Sequence, residues 1–277
     1  KGVFVCMSIE EAELALDQLM IKGICGEAGT KVVIEDFLEG DEISLHVICN
    51  SNSYTMFPTA QDHKRVGEND TGLNTGGMGT IAPVPWVSEE SWQEMGRTIV
   101  APTLRQLYML GAEFAGLLFP GVMMTPDGPK VLEFNARFGD PETQTYIRLM
   151  DNDLLDVFNA CVDENLDQLN LAWKPGFAAT VVACAAGYPG AYKKGVPIYG
   201  IKEAEKVPGV VVFQAGTKRE NGALVTSGGR VLGVSAVGAT LEEALAKAYE
   251  GIGHIHFEGM FYRRDIGQKS LAKMKAA

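Results

Sequence analysis

The chain has 277 residues, 46% of them apolar and 21% charged, and its 24 basic and 35 acidic side chains give a formal net charge of -11. This is ordinary globular composition and excludes a disordered polymer. The acidic balance speaks against a surface built for nucleic acid, which needs basic groups facing phosphates, and the length predicts two or three domains.

The chain opens on Lys1-Gly2-Val3 with no initiator Met, which reads as a cut through a folded unit, and residues 2–7 carry a strand pattern. Ser8 then stands where a helix cap belongs, and Glu11, three positions on, completes a capping box. Ala12, Leu16, Leu19 and Met20 recur at helical spacing and give that helix a face to bury. Residues 31–37 read as a strand, 43–49 as another, and Asn50-Ser51-Asn52 as a reversal into a third over 54–57. From 58 to 85 the periodicity fades. Loops longer than about 12 to 15 residues are uncommon without function or disorder, and the crowding of charge and glycine makes this one functional.

A helix over 89–110 follows, then strands over 114–124 and 130–135 around Asp127-Gly128, and a helix over 153–162. From Phe177 onward short Val-rich strands alternate with turns at Gly187-Tyr188-Pro189-Gly190, Asn221-Gly222 and Ser227-Gly228-Gly229, the last read as a hairpin. A helix over 241–249 has Thr240 as cap and Glu243 to complete its box, and 255–261 reads as a final strand, making a small α+β module.

Three constellations carry chemistry. In the first, Val131 through Gln144, an extended backbone puts Glu133 and Asn135 on one face, with Arg137 continuing the alternation. A carboxylate and an amide oxygen so placed suit a hard cation such as Mg²⁺, which takes one or two protein ligands and keeps phosphate and water oxygens. The planar fork of Arg137 suits a carboxylate or phosphate. The same residues equally suit a strand end where acid and arginine pair, and Gly139-Asp140-Pro141-Glu142 a turn with a helix cap. In the second, Asp62-His63-Lys64-Arg65 precedes Asn74-Thr75-Gly76-Gly77-Met78-Gly79, whose glycines admit a ligand close to backbone donors. The third is Glu35-Asp36-Phe37-Leu38 with Glu42, either a site for a base and sugar or a solvated edge. Five scattered cysteines, Cys6, Cys25, Cys49, Cys161 and Cys184, form no close metal-binding pair and read as reduced thiols, with Cys184 in the core. The sequence has no apolar run of membrane length.

The stretches 61–65, 70–79 and 137–144 closely resemble motifs of the phosphoribosylamine–glycine ligases, or GAR synthetases, and so do 187–190, 215–218 and 264–267. The resemblance covers the whole chain. It implies an α+β ATP-grasp fold, N-terminally incomplete, followed by a small C-terminal α+β domain. Residues 1–33 would be most of the small lobe, 34–173 the large lobe with the metal and substrate site, and 174–277 the C-terminal domain. It implies ATP and Mg²⁺, with Mn²⁺ as the alternative, and glycine and 5-phosphoribosylamine as substrates, in a cytoplasmic protein whose parent is either monofunctional or fused to other purine-synthesis domains. Lys1 and Gly2 would end a loop over ATP, Glu35, Phe37 and Leu38 would meet adenine, and Glu42 would lie near ribose. Glu133 and Asn135 match the metal ligands, Asn135 also facing the nucleotide. Arg137, Asp62 and Lys64 take the catalytic roles, and Arg137 again, His63, Asn74, Thr75, Gly76, Gly77, Met78, Gly79, Asp140, Pro141 and Glu142 would enclose the substrates. Leu73 departs from the pattern where Pro is usual, and Ala186 where Gly is frequent.

Overall fold

The computed structural model describes residues 2–51 and 53–276. The chain divides into two compact units, Lys1–Gly40 and Asp41–Ala277.

In the first unit the helix Ile9–Leu16 runs into a π turn, Asp17–Ile21. The Ser8 side chain accepts the Glu11 N–H at 3.2 Å, and the Glu11 carboxylate accepts the N–H of Met7 at 2.7 Å, so the box closes one residue further out than expected. Residues 2–7 and 31–37 are not strands. A strand exists only where a second backbone pairs with it, and among the described residues none does; Val33 and Ile34 are left 84% and 82% exposed.

The second unit holds two five-stranded sheets. In one, the long strand Gly116–Thr125 pairs antiparallel with Asp41–Ser44, Val47–Cys49 and Gly128–Asn135, and Tyr54–Met56 extends it beyond Val47–Cys49. The continuous strand expected over 43–49 is broken at 45–46, opposite Pro120, which has no N–H to offer the ladder. In the other sheet the order is Val210–Gln214, Arg230–Gly238, Phe177–Cys184, Gly79–Ala82 and Gln61–Asp62, all antiparallel. Residues 58–85 are therefore not one loop but contain the strands Gln61–Asp62, Arg65–Gly67, Thr71–Asn74 and Gly79–Ala82. Strands this short show no alternation, and Gly79–Ala82 is buried throughout, which erases the period-two signal. The second sheet carries strands from both sides of residue 173.

The helix expected over 89–110 is interrupted: Glu89–Met95 and Ala101–Met109 flank a π turn at Gly96–Val100, just before Pro102, which lacks a helix donor. Leu241–Gly253 runs past its expected end because Gly251 is a packing glycine and not a stop: a Cβ there would come within 2.9 Å of Val210. Residues 255–261 form only two isolated bridges, His256 with Tyr199 and Phe261 with Cys184, because a turn from Phe257 to Met260 through Gly259 at φ +74° interrupts them. Gly228-Gly229 is not a hairpin, since Ala223–Thr226 pairs with Thr217–Glu220. The hairpin turn is Asn221-Gly222, both at positive φ as a type I′ turn requires. Cys184 is fully buried, as expected.

Candidate functional site

Side-chain alternation through 62–65 separates two jobs. His63 is buried: its Nδ1–H donates to Gly79 O and its Nε2 accepts the Gly267 N–H, both at 3.0 Å. Burial and the Arg263 charge lower its pKa to about 4, so it is neutral. With both nitrogens taken by backbone, His63 is a brace, which corrects its expected place among the substrate contacts.

Asp62 and Lys64 meet the site. Lys64 Nζ lies 2.7 Å from Glu42 Oε1. Burial opposes the lysine charge, but Glu42, Asp62 and Glu142 outweigh it and hold its pKa above the usual value. Asp62 is pushed the other way: burial first, then the Glu142 charge, raise its pKa well above the carboxylate range against the pull of Lys64. Its Oδ1 is buried with no hydrogen-bond partner. Gly77, at φ +117°, closes over it, and a Cβ there would stand 2.6 Å from Asp62 Oδ1 and 2.4 Å from Pro141 Cδ. Only glycine lets the backbone pass between them.

Glu142 opens the helix Glu142–Leu149 and is 2% exposed, its Oε1 accepting from Ser44 Oγ at 2.8 Å. Burial raises its pKa and the serine bond partly offsets this. Behind it the Gly139 N–H donates to His46 Nε2 at 3.1 Å, which fixes the tautomer, so that Nδ1–H donates to Tyr146 Oη at 3.1 Å. His46 stacks on Phe119 at 4.0 Å, and burial, then the Arg137 and Lys64 charges, lower its pKa to about 3. This chain pins the turn that carries Arg137 through Glu142.

On Gly128–Asn135 the expected pair shares a face: Asn135 Nδ2 donates to Glu133 Oε1 at 3.1 Å, and Arg137 Nη2 donates to Asn135 Oδ1 at 3.2 Å. Glu133 and Glu42 both approach Gly121: a Cβ there would be 3.5 Å from Glu133 Cγ and 3.7 Å from Glu42 Oε1, ordinary contact distances. Asp140 accepts from Gln144 Nε2 at 3.0 Å and pairs with Arg230 Nη2 at 3.1 Å.

The rest of the predicted set divides. Thr75 ties the loop internally, its Oγ1 donating to Lys64 O at 2.8 Å and accepting the Gly77 N–H at 3.0 Å. Met78 is fully buried against Cys184, a core residue and not a substrate contact, and Gly79 is strand backbone packed on Thr180 O. Asn74 ends its strand opposite Arg65. Gly2, Glu35, Phe37 and Leu38 belong to the unit Lys1–Gly40, where Glu35 and Phe37 are exposed. Lys1 lies outside the described residues. Ser44, His46, Tyr146 and Arg230 escaped the sequence reading. An unmotivated His inside an apolar strand was the one available signal.

The family described as "Phosphoribosylglycinamide synthetase, ATP-grasp (A) domain" matches residues 1–143, and its C domain matches 178–269. The chain is 46% identical over 276 residues to the phosphoribosylamine–glycine ligase of Brucella melitensis, covering 100% of this chain and 64% of that protein. It is 45% identical to a bifunctional purine biosynthetic protein of Pichia angusta, covering 98% of this chain and 34% of that one. The crystal structure of the phosphoribosylamine–glycine ligase of Thermotoga maritima superposes with a TM-score of 0.78 at 35% identity, over 92% of this chain and 63% of that chain. A biotin carboxylase domain from Hydrogenobacter thermophilus, at 13% identity and a TM-score of 0.69, shares the fold alone. The A-domain match takes in residues 1–143, which corrects the expectation of an N-terminally incomplete ATP-grasp fold: the chain's first residues lie within that match. The chain spans 64% of the length of the bacterial ligase it matches.

Proposed function

The chain belongs to the phosphoribosylglycinamide synthetase family, and we propose that the protein ligates glycine to 5-phosphoribosylamine, converting ATP to ADP and phosphate and giving glycinamide ribonucleotide. The observation that carries this is the meeting of Asp62, Lys64 and Glu42 with Glu142 and with Glu133, which Asn135 links to Arg137. Within the same proposal, residues 1–33 are most of the small lobe, 34–173 the large lobe and 174–277 the C-terminal domain.

The donors at Glu133 and Asn135 fit a hard divalent cation. Both stand on one strand face, with the Asn135 amide nitrogen on Glu133 Oε1 and its oxygen accepting from Arg137; turned over, the amide would put one carboxylate and one amide oxygen side by side. That is the pattern of Mg²⁺ held partly by nucleotide phosphates. When bound, the cation neutralises phosphate charge as the γ-phosphoryl moves onto the glycine carboxylate. Arg137 adds a fixed positive fork at the same edge, and Lys64, kept charged by three carboxylates, adds a second cation. The phosphoribosylamine nitrogen then attacks the acyl carbon of glycyl phosphate, the C–N bond forms, and phosphate leaves. The 76–77 loop and the Asp62 carboxyl border the reactants, while the N–H groups of Gly76, Gly77 and Met78 are given to Tyr188 Oη, Thr75 Oγ1 and His63 O and hold the loop in shape. No helix among the described residues is long and apolar enough to cross a membrane.

The test is ADP release by the full-length protein, which should require glycine and phosphoribosylamine together. Glu133→Gln should lower turnover by at least about tenfold at saturating Mg²⁺ while the melting temperature holds. Turnover unaffected by the substitution would remove Glu133 from the site.

A further inference from the structure

Arg230 and Tyr188 fall outside the proposed chemistry, yet both reach its edge. Arg230 begins the strand Arg230–Gly238, and the register with Phe177–Cys184 slips at this point, between Ala183 and Cys184. Such a bulge re-aims a side chain. The guanidinium turns away from the sheet, and Nη1 donates to Gly76 O at 2.8 Å, to Asp140 O at 2.6 Å and more weakly to Gly77 O at 3.4 Å. Nη2 pairs with Asp140 Oδ2 at 3.1 Å. A single fork therefore ties together two loops more than sixty residues apart, one of which folds over Asp62 while the other leads into Glu142.

Tyr188 holds the same point from the other side, its Oη accepting the Gly76 N–H at 2.9 Å. Two glycines make room for this. A Cβ on Gly76 would stand 2.9 Å from Arg230 Cζ, and one on Gly229 would stand 2.3 Å from Tyr188 Cδ2. The turn at Gly187–Gly190 and the pair Gly228-Gly229, conspicuous in the sequence and without a role in the reaction, thus frame two side chains that grip Gly76.

We infer that Arg230, supported by Tyr188, is a positioning residue: it sets the spacing between the 76–77 loop and the 137–142 turn, and through them the spacing of Asp62 and Lys64 from Glu142 and Arg137. Lysine cannot replace it, because one ammonium does not satisfy two carbonyls and a carboxylate in a plane. The inference rests on the proposed ligase function for its kinetic consequence only.

The experiment uses the full-length protein with Arg230→Met, Arg230→Lys and Tyr188→Phe. In Arg230→Met, kcat per folded molecule should fall at least about tenfold, the scale of a small misplacement at a reacting centre, with KM for glycine and phosphoribosylamine raised and KM for ATP nearly unchanged. Arg230→Lys should recover little of this. Amide hydrogen exchange should quicken in both 76–79 and 139–142 in Arg230→Met. Wild-type kcat and KM in the folded variant, or unchanged exchange in both segments, would overturn the inference, as would full recovery by Arg230→Lys. Should Arg230→Met not fold, Tyr188→Phe decides: faster exchange at 76–77 supports the grip, and unchanged exchange refutes it. If the wild type shows no ATP consumption dependent on both substrates, the ligase reading fails, and the exchange data alone judge the brace.

Discussion

Asp62 stands in a position that stability alone does not favour. Burial and the neighbouring Glu142 hold its pKa well above the carboxylate range, and its Oδ1 has no hydrogen-bond partner. A group with a raised folded pKa contributes stability below its unfolded pKa, here 3.8, and loses it as pH rises through the folded value. Asp62→Asn should therefore melt higher than wild type at pH 8 while losing at least about tenfold in turnover; a lower melting temperature at that pH would show that Lys64 needs the charge more than burial opposes it. The buried histidines titrate with the opposite sign. His46 and His63 drop from 6.5 to about 3 and about 4, so between these values the unfolded chain binds protons that the folded chain does not. Their contribution is fully present above about pH 6.5 and is lost as pH falls through the folded values, at up to about 1.4 kcal/mol per pH unit for each ring. In urea titrations the stability advantage of wild type over His63→Gln should narrow from pH 7 to pH 5, and a constant difference would contradict neutral burial. Local chemistry of this kind was half legible. The alternation of Glu133 with Asn135 follows from strand geometry, whereas Ser44, His46 and Arg230 act through partners about ninety or more residues away and leave no local trace.

At the scale of elements, the readable features were those whose partners lie within a turn. Ser8 and Thr240 each cap a helix with their own side chains, as their spacing to Glu11 and Glu243 predicts, because a cap is a bond three residues long at most. Strands were harder. Residues 31–37 and 255–261 carry the right residue types and form no strand, since pairing depends on a neighbour that periodicity cannot supply. The last helix, Gln268–Ala276, shows how such long-range partners work. Ser270 is fully buried, donates from Oγ to Gln61 Oε1 at 2.8 Å and accepts from Trp86 Nε1 at 3.0 Å, and Lys273 lies 3.9 Å over the Trp86 ring. Ser270→Ala would leave a buried amide oxygen and an indole N–H unmatched. It should cost about 1–3 kcal/mol in chemical denaturation, and a cost near zero would mean that water takes the place of the hydroxyl.

For the larger unit, the arrangement of the second sheet makes residue 173 a poor place to cut. Phe177–Cys184 lies between Arg230–Gly238 and Gly79–Ala82, pairing with the latter from Ala178↔Ala82 to Val181↔Gly79. Met78 and Ile81, fully buried, belong to the same apolar cluster as Leu232, Leu241 and Phe257. Arg263, only 2% exposed, bonds Asp265 twice but also Asp70 Oδ1 at 2.9 Å and Arg65 O at 3.0 Å, so without residues 65–70 it keeps Asp265 and loses two of these four hydrogen bonds. Each hydrogen bond lost from a charged group costs about 1.5–3 kcal/mol, and losing the two strands Gly79–Ala82 and Gln61–Asp62 together with the buried Met78 and Ile81 adds to it, against a typical domain stability of about 5–15 kcal/mol. Residues 174–277 expressed alone should therefore fail to reach a native state, giving weak near-ultraviolet dichroism and no cooperative melt. A fragment with dispersed amide resonances and a sharp transition would show that the sheet is complete without Gly79–Ala82, and that the arginine bridge to Asp70 is ornament to a module stable in its own right.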